Sequence, residues 1–429
     1  MQGNQISFYQ MAKNILLIQC YNANKGDNSV ARTMIDSFRG DGYRVAVTAF
    51  DVDKAEKEYH VRAGEYLFSV WKARQASSKF LMAYEMLKEG IWFFYSVLFL
   101  FFYKCGIELP LPFRKRNTIS NYLKADVIVL PGGHFFTSFN SLINNLSHYY
   151  AMRFAQLLGK KTMVYAQTVG PYKGCAGRIE RFLANRVLSR CDCVTLRESN
   201  SLTEYNRKNC EVTAETVFMN PVPEDDRIRV EDFIERGDAD FIVGVTIHHI
   251  YYKHYFSKEA YVRLMADIFD AILTEFNCKV LVIPMEDKSF SEGDRKIARE
   301  MINEVRHRGR IRVIDGDLNS VETANLIAKV DVFIGTKTHS VVYGLKSFTP
   351  TLSISYQQKS TEFMKMFGME RYAVPMGRLS VDVLMPLFRE LLERRADVRR
   401  ELEKIYGAVK EKVKRNNELL YKLLNDVST

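Results

Sequence analysis

Short hydrophobic runs alternate with helical patterns along most of this chain. In the first half the runs NILLIQC, RVAVTAF, ADVIVLP, KTMVYAQ and CDCVTLR alternate with amphipathic stretches such as SVARTMIDSF and RIERFLANRVL, and a further short strand is expected near TAETVFM. Continuous apolar strands separated by helices predict a parallel sheet that is covered by helices on both faces.

A second alternation of the same kind runs from DFIVGVTI to TPTLSIS, and a long charged helical pattern follows residue 379. The segment between, PVPEDDRIRVEDFIERGD, is polar and contains proline, as expected of a domain boundary. We therefore expect an N-terminal Rossmann-like domain over residues 1–222, a second one over residues 239–379, and C-terminal helices over residues 380–429 that pack back on the first. The predicted fold is α/β and GT-B-like, with two doubly wound domains facing across a cleft.

Composition narrows the class of protein. The 429 residues are 47% hydrophobic and carry a net charge of +10, with cations spread along the chain, which favours phosphorylated ligands or lipid headgroups over nucleic acid. The seven cysteines include no CxxC pair, and Cys191 and Cys193 are interpreted as strand residues, so no metal site is expected. The first residues lack the pattern of a signal peptide, which predicts a cytoplasmic protein.

Several loops at predicted strand ends carry polar residues. Asn24 and Asp27 lie between the first strand and its helix, where a turn with an N-cap and a ligand-facing loop explain them equally well. His134 follows the pair Gly132 and Gly133, which matches neither GxGxxG nor a P-loop, so no dinucleotide or nucleotide-hydrolase site is predicted. Arg197 ends another strand, where a guanidinium can grip a carboxylate or phosphate.

The most informative stretch is DVFIGTKTHS followed by SYQQK. A buried strand leads into four polar residues and a histidine that should form the first turn of a helix, namely Thr336, Lys337, Thr338, His339 and Ser340. Free amides at that turn predict an anion site. Lys359 follows the next strand and should lie on the same edge of the sheet.

These segments, in this order, resemble the polysaccharide pyruvyl transferase family. The resemblance runs from the NxGD-type loop at Asn24 through ADVIVLPGG, AQTVGP and the R-E-x-x-S sequence at Arg197 to the IGTKTHS and SYQQK region. Family members often carry arginine two residues before the histidine, where this chain has Lys337. The resemblance places Arg197, His339 and Lys359 on motif positions that are associated with phosphoenolpyruvate binding and catalysis.

The resemblance implies that a pyruvate ketal is formed on a sugar of a cell-surface polysaccharide, such as a capsule or exopolysaccharide, or on its lipid-diphosphate-linked precursor. Phosphoenolpyruvate would be a co-substrate of the second, donor-side domain, with Thr336, Lys337, Thr338 and Ser340 assisting, and no cofactor is expected. His339 can serve as the proton donor. The candidates for acceptor binding or for the base stay open: Asn24, Asp27, His134, Glu198, His248 and His249. A glycosyltransferase that uses a nucleotide sugar, or a non-catalytic sugar-binding protein, are the alternatives.

The segment IWFFYSVLFLFFYKCGIELPLPFRKR, residues 91–116, is not explained by the resemblance. It forms the greater part of an apolar insertion at about residues 85–117. Its apolar run of about 13 residues is short of the roughly 20 that a spanning helix needs. The segment is expected to be either a buried helix or an interfacial anchor, since aromatic residues are followed by cations. The second interpretation predicts docking on the inner face of the cytoplasmic membrane.

Overall fold

The computed structural model describes residues 12–22, 25–70, 78–107, 109–111, 115–138, 141–219, 222, 225, 227–286 and 293–426. The chain divides into two compact units. The first contains Met1–Asn22, Val30–Thr216 and Arg415–Thr429, and the second contains Ala23–Ser29 and Val217–Lys414. Asn24, one of the predicted site residues, lies outside the described residues.

The first unit is built on a parallel sheet. Its strands are β1 (Asn14–Cys20), β2 (Arg44–Ala49), β3 (Arg62–Glu65), β4 (Val127–Leu130), β5 (Gly133–Phe136), β6 (Lys161–Val169), β7 (Cys193–Leu196) and β8 (Cys210–Val212). They are ordered β3-β2-β1-β4-β6-β7-β8, and β5 pairs with β6. The helices of this half are α1 (Lys25–Gly40), α2 (Val52–Tyr59), α3 (Lys79–Lys104), α4 (Arg116–Lys124), α5 (Leu142–Leu157) and α6 (Gly174–Leu188). The first turn of α1, up to Ser29, belongs to the second unit.

The second unit repeats the design with a six-stranded parallel sheet. Its strands are β9 (Phe241–Val245), β10 (Cys278–Val282), β11 (Ile311–Val313), β12 (Val332–Gly335), β13 (Thr351–Ser355) and β14 (Ala373–Pro375), in the order β11-β10-β9-β12-β13-β14. Its helices are α7 (Lys258–Glu275), α8 (Gly293–Glu304), α9 (Ser320–Ala328), α10 (Thr338–Lys346), α11 (Gln358–Met366), α12 (Val381–Glu393) and α13 (Arg395–Asn425). Because β9 pairs with both β10 and β12, the chain reverses its direction of winding there.

The prediction of two Rossmann-like doubly wound halves is confirmed. The short strand expected near TAETVFM lies just before that sequence: β8 ends at Val212, and Thr216–Phe218 form a 3-10 helix. The last helix, α13, passes from the second unit into the first at Arg415. Within the first unit Asn416 Oδ1 accepts hydrogen bonds from the hydroxyls of Thr195 and Thr213, which fastens the end of α13 to the sheet.

Helix α3 differs most from its sequence-based description. It has 26 residues, about twice the apolar run, because the helix begins far upstream, after Ser78, whose hydroxyl caps it by accepting from Leu81 N–H. By length and composition this helix could cross a bilayer, so the prediction that the segment is too short to span one is wrong. One face of α3 nevertheless packs into the core of the first unit, through Trp92, Phe99 and Leu100.

Candidate functional site

Four neighbouring strands of the second unit end at one edge of its sheet. His248 and His249 follow β9, Glu286 follows β10, Thr336–Ser340 follow β12, and Lys359 follows β13. Ligands of open parallel sheets bind beyond the carboxyl ends of the strands, at the point where the winding reverses, which here lies between β9 and β12. The second unit therefore gathers its candidate residues where this fold builds its sites.

Lys337 is held in a cluster of charges at that edge. Its ammonium lies 2.7 Å from Glu286 Oε1 and 2.7 Å from Asp294 Oδ2, and all three side chains are largely buried. Burial alone raises the pKa of Asp294, but the Lys337 charge and the hydrogen bonds from His249 and Lys337 outweigh it and hold the pKa below its usual value. The Asp294 carboxylate is therefore charged at neutral pH, and it shares the Lys337 ammonium with Glu286.

His249 is oriented by the same carboxylate. Its Nδ1 lies 2.9 Å from Asp294 Oδ1 and 3.5 Å from Glu286 Oε2. The ring lies against Gly293, where an added Cβ would come within 2.3 Å of His249 Cδ2, so only glycine fits there. With Nδ1–H donating to the carboxylate, Nε2 is the nitrogen left to accept a proton, as in the His–Asp pairs of hydrolytic enzymes.

His248 has a different environment. Burial, and then the neighbouring Lys337 charge, lower its pKa to about 2, and its Nδ1 accepts a hydrogen bond from Ile250 N–H at 3.3 Å. This imidazole is therefore neutral at physiological pH. The nearest donor atoms of His248, His249 and Asp294 lie within 4.8 Å of one another, a spacing that could hold a metal ion. The Lys337 ammonium already provides a countercharge to Asp294.

A hydroxyl network shapes the turn between β12 and α10. Thr246 Oγ1 accepts from Thr336 N–H at 3.0 Å and lies 2.7 Å from Ser340 Oγ, while the Ser340 hydroxyl donates to Lys337 O at 2.7 Å. Thr336 and Ser340 are fully buried. Both were predicted to assist donor binding, and the structure gives them contacts that hold the turn in shape.

Helices α10 and α11 begin side by side, and their first turns carry His339 and Lys359. Thr338 Oγ1 and Ser360 Oγ, one from each turn, lie 2.9 Å apart. Within the described part of the chain, neither N-cap residue, Lys337 or Gln357, makes a side-chain capping hydrogen bond. The backbone amides of Ser340 and Ser360 donate to the carbonyls of Lys337 and Gln357. Both helix starts carry the positive end of a helix dipole, which would stabilise an anion placed beside them.

Both side chains on these turns are partly exposed. The Lys359 ammonium lies 5.6 Å from the centre of the Phe363 ring, one turn further along α11. His339 is the second residue of α10, so its backbone amide and its imidazole belong to the same turn. The arrangement can bind an anion and bring a proton donor to it.

Arg197 and Glu198 belong to the first unit, at the end of β7. The Arg197 guanidinium is 1% exposed, and its Nε lies 2.7 Å from Thr168 Oγ1 and 3.2 Å from Glu198 Oε2. A second carboxylate, that of Glu215, pairs with Nη1. The sequence predicted an arginine available to a ligand, and the structure shows one that is held between two protein carboxylates.

The remaining predicted residues are dispersed. Asp27 lies in the first turn of α1, within the second unit. Burial raises the pKa of Tyr343, and the Asp27 charge adds to this effect. His134 lies in β5 of the first unit, next to Phe135. The sequence reasoning missed Glu286 and Asp294. Glu286 could have been found, since it is a carboxylate just beyond the end of β10, whereas nothing local singles out Asp294.

Comparisons with known proteins agree with this architecture. The family model of polysaccharide pyruvyl transferases matches residues 24–358. The amylovoran biosynthesis protein AmsJ of Erwinia amylovora is 25% identical over 265 residues, which cover 58% of this chain and 61% of that protein. The chain thus matches less than two thirds of the length of this relative.

Solved structures with the same fold include an epimerase and a glycosyltransferase. The UDP-GlcNAc 2-epimerase from Methanocaldococcus jannaschii has a TM-score of 0.60 at 10% identity, covering 95% of this chain and 99% of that one. A glycosyltransferase from Rickettsia africae has a TM-score of 0.58 at 9% identity, covering 97% of this chain and all (100%) of the other. At these identities the similarity establishes the GT-B-like fold and nothing further.

Proposed function

Since the chain belongs to the polysaccharide pyruvyl transferase family, we propose that it forms a pyruvate ketal on a sugar, with phosphoenolpyruvate as the donor. The observation that carries the proposal is the pair of adjoining helix starts that present His339 and Lys359. The acceptor is a sugar of a polysaccharide or of its lipid-linked precursor.

The donor carries a phosphate and a carboxylate, and both need positive partners. The positive ends of the α10 and α11 dipoles and the Lys359 ammonium supply them. Lys337 contributes less charge than its position suggests, because Glu286 and Asp294 already pair with it. Its role in this proposal is to hold the start of α10 in place.

In this reaction two sugar hydroxyls each lose a proton, and both protons must be transferred. Two hydroxyls of the sugar add to C2 of the enolpyruvyl group, the C2–O bond to phosphate breaks, and the methylene carbon becomes a methyl group. His339 delivers one proton to this carbon, which balances the proton lost by the first hydroxyl. The proton lost by the second hydroxyl leaves with phosphate or passes to solvent. His339 as acid and a second residue as base satisfy both transfers.

The geometry of the second unit favours His249 as that base. Asp294 fixes its ring through Nδ1 and leaves Nε2 to take the proton from a sugar hydroxyl. His248 is less suitable, because burial and the Lys337 charge lower its pKa to about 2, and so weak a base binds a proton poorly at neutral pH. Asp294 acts as a positioning residue through His249.

The direct test is an incubation of the purified protein with phosphoenolpyruvate and a galactoside or mannoside. We expect release of inorganic phosphate and an acceptor whose mass increases by one pyruvate ketal. The His339→Ala variant is the matched control and should release no phosphate above background. Transfer from a UDP-sugar in place of phosphoenolpyruvate would contradict the proposal and favour a glycosyltransferase.

A further inference from the structure

The outward face of α3 is apolar over its whole length. Large hydrophobic side chains recur on it every three or four residues and are 49% to 80% exposed: Phe80, Tyr84, Leu87, Ile91, Phe94, Leu98 and Phe101. At 1.5 Å per residue this stripe, which we call the α3 outer face, is roughly 32 Å long. Contiguous exposed apolar surface of this extent marks a site of interaction with a protein or a membrane.

The opposite face of α3 fastens the helix to the first unit. Trp92 and Phe99 are each 4% exposed, and the Trp92 indole N–H donates to Leu67 O. Glu89 and Lys115 form a buried ion pair at 2.9 Å. To cross a bilayer the helix would have to leave these contacts and separate a buried pair, which is costly. The packed helix can therefore meet a membrane only by lying along its surface.

The spacing of the outer face also resembles the seam of a coiled coil, so a second copy of the chain has to be considered. In that register, charged side chains on the flanking positions select the partner. Those positions hold Leu81, Lys88, Tyr95 and Phe102 on one side and Ala83, Gly90, Val97 and Lys104 on the other. Only two are charged, both are positive, and the rest are uncharged, so the flanks offer no ionic complement to a second copy.

We propose that the α3 outer face inserts into the surface of an anionic lipid bilayer, with the helix parallel to the membrane plane. Exposed cations lie at both ends of the helix, Lys79 and Lys104. From Gly90 to Lys104 the helix has no carboxylate. Aromatic side chains flanked by cations suit the boundary between acyl chains and acidic headgroups, and the net charge of +10 adds attraction to such a surface.

The structure also decides which substitutions can test this. Phe99 faces the core, so an aspartate there would unfold the protein and report nothing about lipid. Phe94 and Phe101 are 74% and 63% exposed and lie on the outer face. A matched control is available on α6, where Ile179 and Phe182 are 58% and 64% exposed.

The experiment is sedimentation of the full chain with vesicles of phosphatidylglycerol and phosphatidylcholine, and with phosphatidylcholine alone. No donor or acceptor is added, so the result is independent of the proposed activity. We expect the wild type to bind the anionic vesicles more tightly, and Phe94→Asp with Phe101→Asp to weaken binding about tenfold or more. Ile179→Asp with Phe182→Asp, which adds the same charge, should bind like the wild type. Circular dichroism checks that each variant is folded.

Three results would overturn the proposal. One is absence of wild-type binding to anionic vesicles at low salt. Another is equal loss in both double variants, which would attribute binding to net charge. The third is a lipid-free dimer of the wild type that Phe94→Asp with Phe101→Asp converts to a monomer, which would assign the α3 outer face to a second copy of the chain.

Discussion

Asp294 Oδ2 lies 2.7 Å from the ammonium of Lys337, and the other oxygen of the same carboxylate lies 2.9 Å from His249 Nδ1. One buried side chain therefore joins the residue that precedes α10 to the histidine that follows β9. Because His339 lies two residues after Lys337, this carboxylate helps to fix both the proposed acid and the proposed base. Asp294 is the residue on which the geometry of the second unit depends most.

We expect His249→Ala to lower kcat by about two to four orders of magnitude, since it removes the proposed base. Asp294→Asn should lower kcat less, because the ring keeps its nitrogen but loses its orienting carboxylate. Steady-state phosphate release gives kcat, and calorimetric titration with phosphoenolpyruvate gives donor affinity. Donor affinity should stay near that of the wild type in His249→Ala. A His249→Ala variant with normal turnover would remove this residue from the mechanism.

His339→Ala tests the acid separately. Proton delivery to the methylene carbon is worth roughly two to four orders of magnitude in rate. The imidazole is partly exposed on the first turn of α10, so its removal should leave the unfolding free energy close to that of the wild type. Single-turnover measurements at saturating donor separate this loss from weaker binding. If the variant turns over at the wild-type rate, the proton comes from another group.

Lys359→Ala should act on the donor and leave the proton transfers intact. A charge-assisted hydrogen bond to an anion contributes about 1.5–3 kcal/mol, so phosphoenolpyruvate should bind roughly 10-fold to 150-fold more weakly. The change is measured by calorimetric titration, with Lys365→Ala, at the other end of α11, as the control for lost charge. Unchanged affinity in Lys359→Ala would move the donor site away from the start of α11.

Arg197→Ala is expected to act on stability first. The guanidinium is buried between Glu198 and Glu215, so its removal leaves two carboxylates without their cation. Breaking a buried pair in this way costs about 3–5 kcal/mol of unfolding free energy. Urea unfolding followed by circular dichroism measures the loss, and Glu215→Gln combined with Arg197→Met should recover part of it. A fully stable Arg197→Ala variant would show that the ion cluster contributes little to the fold.

The order of strands and helices followed from the sequence because each strand is a continuous buried run with polar residues at its end. The position of His339 on the first turn of its helix followed for the same reason, whereas Lys359 was expected only after its strand and lies on the first turn of α11. The partners of Lys337 and Arg197 did not, since Asp294 is 43 residues from Lys337 and Glu215 lies beyond the next strand. Local patterns identify which residue ends a strand, but not which distant carboxylate neutralises it. The core-facing side of α3 could not be predicted, because aromatic and aliphatic residues lie on every side of the helix from Ile91 to Tyr103 and their period does not single out one face.

Acid should destabilise this protein through two buried histidines, one in each unit. Burial lowers the pKa of His148, whose ring stacks on Phe135 at 4.0 Å, to about 3, and burial followed by the Lys337 charge lowers that of His248 to about 2. In the unfolded chain both histidines have a pKa of about 6.5. Below that pH the unfolded state binds protons that the folded state does not, so the free energy of unfolding falls as pH falls, by up to about 1.4 kcal/mol per pH unit and histidine.

Between about pH 6.5 and about pH 5.3, a lower limit roughly one unit above the carboxylate pKa values of about 3.9 to 4.3, this dependence should come mainly from the histidines. Urea unfolding at several pH values in that window gives the slope for the wild type and for His148→Gln, with the exposed His60→Gln as the control. In His148→Gln we expect the slope of the unfolding free energy against pH to be smaller than in the wild type by close to one proton, about 1.4 kcal/mol per pH unit. In His60→Gln the slope should equal that of the wild type. Identical slopes in all three proteins would mean that His148 takes up its proton without unfolding the first unit.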